Sequence, residues 1–435
     1  MSNYKFSISN HHAIKDANID LNGITVLSGV NGSGKSTISR WLHYLVGGIV
    51  FFEDFALREF CEKLISMLYE FNDLHLPSND AVVDRTYRET MFQIRSLRGH
   101  DDADKRALQL FNQTVDYFAK TLETTFEKNN VSQLAKNRIV KQLSIDNKNY
   151  HNGIRYYVEH QLAKAAEAHD IYTKKINDRN KRSFDEFVSK YFRIQEDYPK
   201  SCSLSEDNVN LISKTIGWLY NIKDSIYIET PIEVSTVGSD NFLWDDFQSQ
   251  LILNKNHEMS LEEKKIAHRI KQEMAGDIYL QRKVVDDELR YKSLDGKMDI
   301  PVKQLATGFK AMTYILRLLE NGDLTDKTLL IIDEPEAHLH PQWVVEFARI
   351  LILIHKKLGT KIVLNSHNPD FISAIQSIAQ NENVINNVTF YIAEKAPDSK
   401  LFVYKNIGQD VSDIFESFNV ALERIEYYGT STNRQ

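Results

Sequence analysis

Residues 23–42, GITVLSGVNGSGKSTISRWL, constrain this chain more than any other stretch. Ile24–Leu27 is short, apolar and β-branched, as a buried strand should be. It leads directly into Gly29-Val30-Asn31-Gly32-Ser33-Gly34-Lys35-Ser36, which fits G-x-x-x-x-G-K-[ST] at every position. Glycines let the backbone curl so that the N–H groups from Asn31 to Thr37 converge on an anion. The helix that comes next aims its positive end at the same point. Lys35 reaches the terminal phosphates, and the Ser36 hydroxyl is a Mg²⁺ ligand. The sequence therefore predicts a strand–loop–helix unit in an α/β fold, holding a nucleoside triphosphate with Mg²⁺. No N-K-x-D guanine-reading motif is present, which favours ATP.

Such a loop needs a second strand tipped with carboxylates, and TLLIIDEPEAHLHP at 328–341 supplies it. Leu329–Ile332 reads as a fully buried strand with Asp333 at its end, able to hold Mg²⁺ opposite Ser36. Glu334 is next in the chain, placed to orient or deprotonate an attacking water. The bland alternative is that Asp-Glu-Pro caps the next helix, with Pro335 setting the turn. A third strand, KIVLNSH at 361–367, brings Ser366 and His367 to its tip, where His367 can sense the γ-phosphate. His338 and His340 alternate, but no cysteine or third histidine is near and Mg²⁺ takes oxygen ligands. They read as structural or subunit-contact residues.

Between these motifs the chain changes character. From 100 to 198 there is no proline, and glycine is scarce. Lys, Glu, Ala and Gln are frequent, which predicts helix. Leu108, Phe111, Val115, Phe118 and Leu122 recur every three or four residues, a stripe that fades too soon for a long coiled coil and reads as packed core. The expected division is an N-terminal lobe at 1–95, an α-helical insertion at 96–225 and a C-terminal lobe at 226–435. No apolar run is long enough to span a membrane, and the first residues lack a secretory pattern. Cys61 and Cys202 read as buried free thiols, which with the missing signal predicts a cytoplasmic protein. A net charge of −7 does not advertise a nucleic-acid binder. Residues 173–193 are a local exception: Lys174, Lys175, Arg179, Lys181, Arg182, Lys190 and Arg193 face only three acids, with Tyr191 and Phe192 available to stack on bases. An ordinary solvated helix face is the competing reading.

The P-loop near the start and strand-Asp-Glu-Pro near the end resemble the ABC-type ATPases. The form DEPEAHLHP narrows the resemblance to the branch containing SMC, RecF and OLD-family proteins. It implies a P-loop head with a mixed β-sheet flanked by helices. It also implies a signature of L-S-G-G-Q type upstream of the acidic strand, where this chain has Leu305-Ala306-Thr307-Gly308-Phe309. Leu305 and Gly308 match, whereas Ala306 stands at the signature serine and Thr307 is its nearest substitute. The branch implies that Thr307 and Gly308 of one subunit close on ATP held by another, giving head-to-tail dimers or higher oligomers. His367 matches the switch histidine, His338 falls in the loop that crosses the dimer interface, and Gln93 is the nearest candidate for the Mg²⁺-sensing glutamine. His11 and His12 lie where related proteins approach the nucleotide.

The 273 positions between Lys35 and Gly308 exceed a transporter half, and the insertion is too short for a long-armed SMC protein. The 68 residues after His367 leave no room for a Toprim nuclease of OLD type. The combination LATGFKA, DEPEAHLHPQW and SHNPDF looks most like the stand-alone ATPase subunits of Septu-type anti-phage systems, with those of PARIS systems next. That resemblance implies a slow, regulatory ATPase, no nuclease activity of its own, a separately encoded HNH-type nuclease partner, and DNA met through the complex. The alternative is a DNA-repair ATPase of RecF type that binds DNA directly.

Overall fold

Three apolar runs become the parallel centre of one large sheet. The computed structural model describes residues 2–72, 81–97, 102–127, 136–137, 139–141, 149–194, 197–229, 247, 250–253, 255–282, 287–397, 399–416 and 427–428. A hairpin of β1 (Tyr4–His11) and β2 (Ile14–Asp20) precedes β3 (Ile24–Ser28), the P-loop and α1 (Lys35–Asn72). Helices α2 (Ala81–Ser96), α3 (Ala103–Glu127), α4 (Tyr150–Asp178) and α5 (Lys181–Tyr191) come next. Strands β4 (Ser201–Glu206), β5 (Val209–Asn210) and β6 (Asp224–Ile228) lead to α6 (Leu261–Glu273). A small sheet of β7 (Gly276–Gln281), β8 (Glu288–Ser293) and β9 (Asp299–Pro301) is followed by α7 (Thr307–Asn321). The chain closes with β10 (Thr328–Asp333), α8 (Pro341–Leu358), β11 (Lys361–Ser366), α9 (Pro369–Asn381), β12 (Val388–Lys395) and β13 (Phe402–Gly408).

The large sheet has ten strands in the order β5-β4-β1-β2-β13-β12-β3-β11-β10-β6. From β12 to β6 all pairs are parallel, and every residue of β3, β10 and β11 is buried. Continuous burial is what helices on both faces of a parallel sheet demand, so these strands are apolar without alternation. β1 and β2 instead pair antiparallel and alternate buried with exposed positions. This is the mixed β-sheet flanked by helices expected from the sequence. Helix ends are fixed locally. Ser260 and Glu263 form a reciprocal capping box on α6, and Asn368 accepts from the Phe371 N–H at the start of α9.

The chain divides into two compact units, residues 1–50 with 185–435 and residues 51–184. This differs from the boundaries expected at 95/96 and 225/226. The division falls inside α1, because the P-loop helix runs on for 38 residues instead of stopping after a few turns. At the other side, 201–228 is not part of a helical insertion. Ser201–Glu206 pairs with β1, and Asp224–Ile228 pairs with β10. The smaller unit is helical, and its core includes Phe111, Val115, Phe118 and Leu122, all fully buried, with Leu108 packed against them. In the larger unit one core joins β3, β10 and β11 to α6, α7, α8 and α9.

Candidate active site

Parallel strands set the turns at their C-terminal ends along one edge of the sheet. The register Leu364↔Val26 and Ile332↔Leu364 aligns the ends of β3, β10 and β11, so Ser28, Asp333 and Ser366 finish side by side. From Ser28 the backbone turns through Gly32 at φ +78° and Gly34 at φ +97°, in the left-handed region. At Gly34 a Cβ would also lie 2.7 Å from Ile14 Cγ1, so only glycine fits there. Asn31 and Gly32 are exposed, Ser36 and Thr37 half-buried, and Ser33 and Lys35 buried. The Lys35 ammonium donates to the Gly29 carbonyl at 2.8 Å and the Val30 carbonyl at 3.2 Å. Burial pushes it below the ordinary lysine range, while Asp333, Glu334 and Glu336 pull the other way. The loop is thus a curled backbone cradle with one cation beneath it.

Asp333 is 4% exposed and held from two sides. Asn365 Nδ2 donates to its Oδ1 at 2.8 Å, and the Tyr227 hydroxyl approaches Oδ2 at 3.4 Å. Asn365 Oδ1 accepts from Ser39 Oγ at 3.0 Å, tying the acidic strand to the first turns of α1. Tyr227 lies beside the Arg40–Glu229 pair, whose charges keep Arg40 protonated despite its burial. A hydroxyl at Ser36 and a carboxylate at Asp333 form a hard oxygen donor set, which suits Mg²⁺ and not a softer metal. The cradle and this donor set fit a Mg-nucleotide.

Glu334 stands in the left-handed region at φ +48°, which costs a non-glycine residue about 1–2 kcal/mol. Its N–H donates to the Asn365 carbonyl at 2.9 Å, so the turn is pinned to β11. The side chain stays a third exposed, with Oε1 3.4 Å from His367 Nδ1. One carboxylate and one imidazole therefore meet beside the P-loop lysine, on backbone held in place by Asn365. Below them Glu336 is buried, accepting from Ser366 Oγ at 2.7 Å and from the His367 N–H at 3.3 Å.

Gly308 lies in the first turn of α7, where a Cβ would come within 2.7 Å of Leu339 Cδ2 and 3.2 Å of the His338 carbonyl. The helix start is thus pressed on the loop after β10, and the Phe309 ring packs tilted against Trp343 with centroids 4.3 Å apart. Ala306 provides no side-chain cap, so α7 presents bare N–H groups. Thr307 opens the helix, but its side chain lies outside the described residues. His338, at φ +63°, and His340 are both exposed.

Other expected residues belong to the other unit or do other work. Gln93 is exposed on α2, in residues 51–184, whereas the P-loop belongs to the other unit. His11 is buried with its ring against Trp41, while His12 is exposed at the hairpin turn. The basic stretch is partly spent within its own fold. Arg179 is buried and paired with Glu53, Lys175 pairs with Glu59, and Phe192 is 4% exposed against Tyr44. Phe192 therefore cannot stack on a base, because the core takes its ring. Cys61 is buried and Cys202, expected to be buried, is half-buried. Among the described residues no helix is long and apolar enough to cross a membrane. Sequence reasoning missed Asn365, Tyr227 and Glu336. Asn365 and Glu336 had a signal, being polar residues inside runs otherwise read as strand or cap.

The chain is similar to known ATP-binding proteins. Over 91 residues it is 32% identical to the energy-coupling factor transporter ATP-binding protein EcfA3 of Clostridium perfringens, covering 21% of this chain and 30% of that protein. Over 144 residues it is 31% identical to the methionine import ATP-binding protein MetN 2 of Bacillus thuringiensis subsp. konkukian, 33% of this chain and 39% of that one. The chain thus spans well under half the length of either relative. A similar solved structure is the Smc head domain with an extended coiled coil, bound to the C-terminal domain of ScpA, from Pyrococcus furiosus. It has a TM-score of 0.38 and 10% identity, covering 98% of this chain and 100% of that one. The family model described as an AAA ATPase domain matches residues 1–372, and the chain belongs to that family.

Proposed function

We propose that this ATPase hydrolyses ATP by in-line attack of a water that Glu334 orients and deprotonates. Lys35 and the amides from Asn31 to Thr37 hold the phosphates, and His367 contacts the γ-phosphate. The observation that carries the reading is the meeting of Glu334 Oε1 and His367 Nδ1 at 3.4 Å at the ends of β10 and β11, of which β11 pairs with the P-loop strand. Bound Mg²⁺ would neutralise charge on the transferring phosphoryl group, with Ser36 and Asp333 as its protein ligands. Asp333 needs no further orienting, since Asn365 and Tyr227 already fix its carboxylate. The bare N-terminus of α7, carrying Thr307 and Gly308, suits the γ-phosphate of a second subunit, which makes head-to-tail dimers or higher oligomers the functional species. ATP then favours the closed pair, and hydrolysis removes that preference.

The biological role we propose is slow, regulatory hydrolysis in a cytoplasmic anti-phage complex, gating a separately encoded HNH-type nuclease. The segments LATGFKA, DEPEAHLHPQW and SHNPDF support it by their likeness to Septu-type ATPase subunits. The test is to express the chain with its native neighbouring genes and identify what co-elutes. A co-eluting nuclease whose cutting depends on Glu334 supports the role. A chain that elutes alone and whose ATPase rate rises with DNA overturns it in favour of a RecF-type repair ATPase. The chemistry is tested separately. Glu334→Gln is expected to lower kcat at least about 100-fold while ATP still binds, and an unchanged kcat removes Glu334 as the base.

A further inference from the structure

Glu336 is the buried carboxylate that the chemistry above leaves without a task. Its side chain is 4% exposed, and its Oε2 is buried with no hydrogen-bond partner. Holding the turn does not require it, because backbone groups do so: the Ala337 N–H donates to the Glu334 carbonyl at 2.9 Å and the Leu339 N–H to the Glu336 carbonyl at 3.1 Å. A buried carboxylate with an unmatched oxygen is costly, and burial pushes its pKa up while the contacts to Ser366 and His367 pull it down, so its retention needs another reason. Its contacts supply one. Oε1 accepts from Ser366 Oγ at 2.7 Å and from the His367 backbone N–H at 3.3 Å, and it lies 3.9 Å from His367 Nδ1. Three groups at the tip of β11 thus converge on one oxygen. The charged groups around Glu336 are Lys35, whose ammonium it influences, and Glu334, which approaches the same ring nitrogen.

We infer that Glu336 is a positioning residue for His367. It clamps the last residue of β11 and the His367 N–H, and it turns Nδ1 inward so that Nε2 faces the nucleotide. The physical basis is that bonds to an ionised oxygen are shorter and about twice as strong as neutral ones. This oxygen holds Ser366 Oγ and the His367 N–H directly, and it faces the ring nitrogen at 3.9 Å, an ion-pair and not a hydrogen-bond distance. Glu334 alone cannot fix the ring, since its side chain is a third exposed and must remain available to water. The inference rests on the reading of His367 as the γ-phosphate contact.

The experiment is steady-state ATP hydrolysis by the full chain, with a fluorescent ATP analogue reporting affinity. The variants are Glu336→Gln, Ser366→Ala, His367→Ala and each of the first two combined with the third. Glu336→Gln keeps the volume and one acceptor but removes the charge. It is expected to lower kcat about 10-fold with affinity unchanged, and Ser366→Ala to lower it less. In the His367→Ala background neither should lower kcat further, because a residue acting through the ring has nothing left to position. Equal losses in both backgrounds overturn the inference, as does an unchanged kcat in both Glu336→Gln and Ser366→Ala. If Glu336→Gln fails to fold, the Ser366→Ala pair decides alone by the same criterion. Should His367→Ala itself leave kcat unchanged, the γ-phosphate reading falls and this inference with it. An effect of His367→Ala that does not couple to Glu336 or Ser366 sinks only the inference.

Discussion

At the residue scale, the site depends on a few side chains whose partners are fixed. Lys35 is buried, bonded to the loop's own carbonyls and drawn towards three carboxylates. Lys35→Ala removes the cation that meets the terminal phosphates, and it should abolish binding of a fluorescent ATP analogue. Retained affinity would end the P-loop assignment. Asn365 is completely buried and bonds Asp333 on one side and Ser39 on the other. Asn365→Ala leaves Asp333 Oδ1 short of a donor in the interior. Such an orphaned acceptor costs about 1–3 kcal/mol, to be read from a denaturant titration, together with a fall in kcat. Wild-type stability in that variant would show that Asp333 is held by other means.

At the element scale, β6 and α1 meet through His43. The ring is buried, bonded to Ser225 Oγ at 2.9 Å, stacked on Tyr227 and edged by Phe192. Burial alone pushes its pKa down to about 3. The unfolded chain binds a proton near the ordinary pKa of about 6.5, and the folded chain does not. Between those values the unfolded state therefore carries more protons. Stability is full above pH 6.5 and falls by about 1.4 kcal/mol for each unit of acidification below it. Denaturant midpoints at pH 7 and pH 5 should differ in wild type, and the difference should shrink in His43→Leu. A gap of the same size in both would assign the acid sensitivity to another group. Helix α7 carries a second prediction. Gly308→Asp pushes a Cβ against the His338 carbonyl and adds a negative charge at a helix N-terminus. The expected result is ATP binding without subunit closure, measured by light scattering with ATP present. Closure that survives would reduce 304–312 to an ordinary loop.

At the scale of the whole molecule, the larger unit builds one sheet from the two ends of the chain. Its parallel centre sets β3, from the first thirty residues, beside β11 and β12, from beyond residue 360. Closing so long a loop delays the central strand pairs until distant segments meet, so folding should be slow for a chain this helical. Residues 51–184 have their own core and interrupt that sheet in sequence, and among the described residues they contribute no strand to it. If ATP closes two copies, Glu334→Gln with Mg-ATP should shift the mass in solution to that of a dimer or larger. Removal of ATP should return it to the starting state. A mass indifferent to ATP contradicts the sandwich.

Much of this was legible in the order of residues. Ile24–Leu27, Leu329–Ile332 and KIVLNSH read correctly as buried strands because a sheet covered on both faces leaves mostly apolar residues in its centre. That Asp333, Glu334 and His367 would stand at strand ends near the P-loop strand was legible because phosphate and water chemistry restrict residue type and local spacing, and their roles there are the ones proposed above. The limits of the helical unit were not, since α1 runs on through Gly47-Gly48 and the division just after it, where a glycine pair would ordinarily end a helix. Nor were the partners of Asn365 and Glu336, which lie 30 to 326 positions away along the chain. Sequence by itself determined which groups could do the chemistry, since that depends on local composition and order. Only tertiary structure decided which polar side chains are buried together, because burial and hydrogen bonding depend on strands brought side by side from opposite ends of the chain.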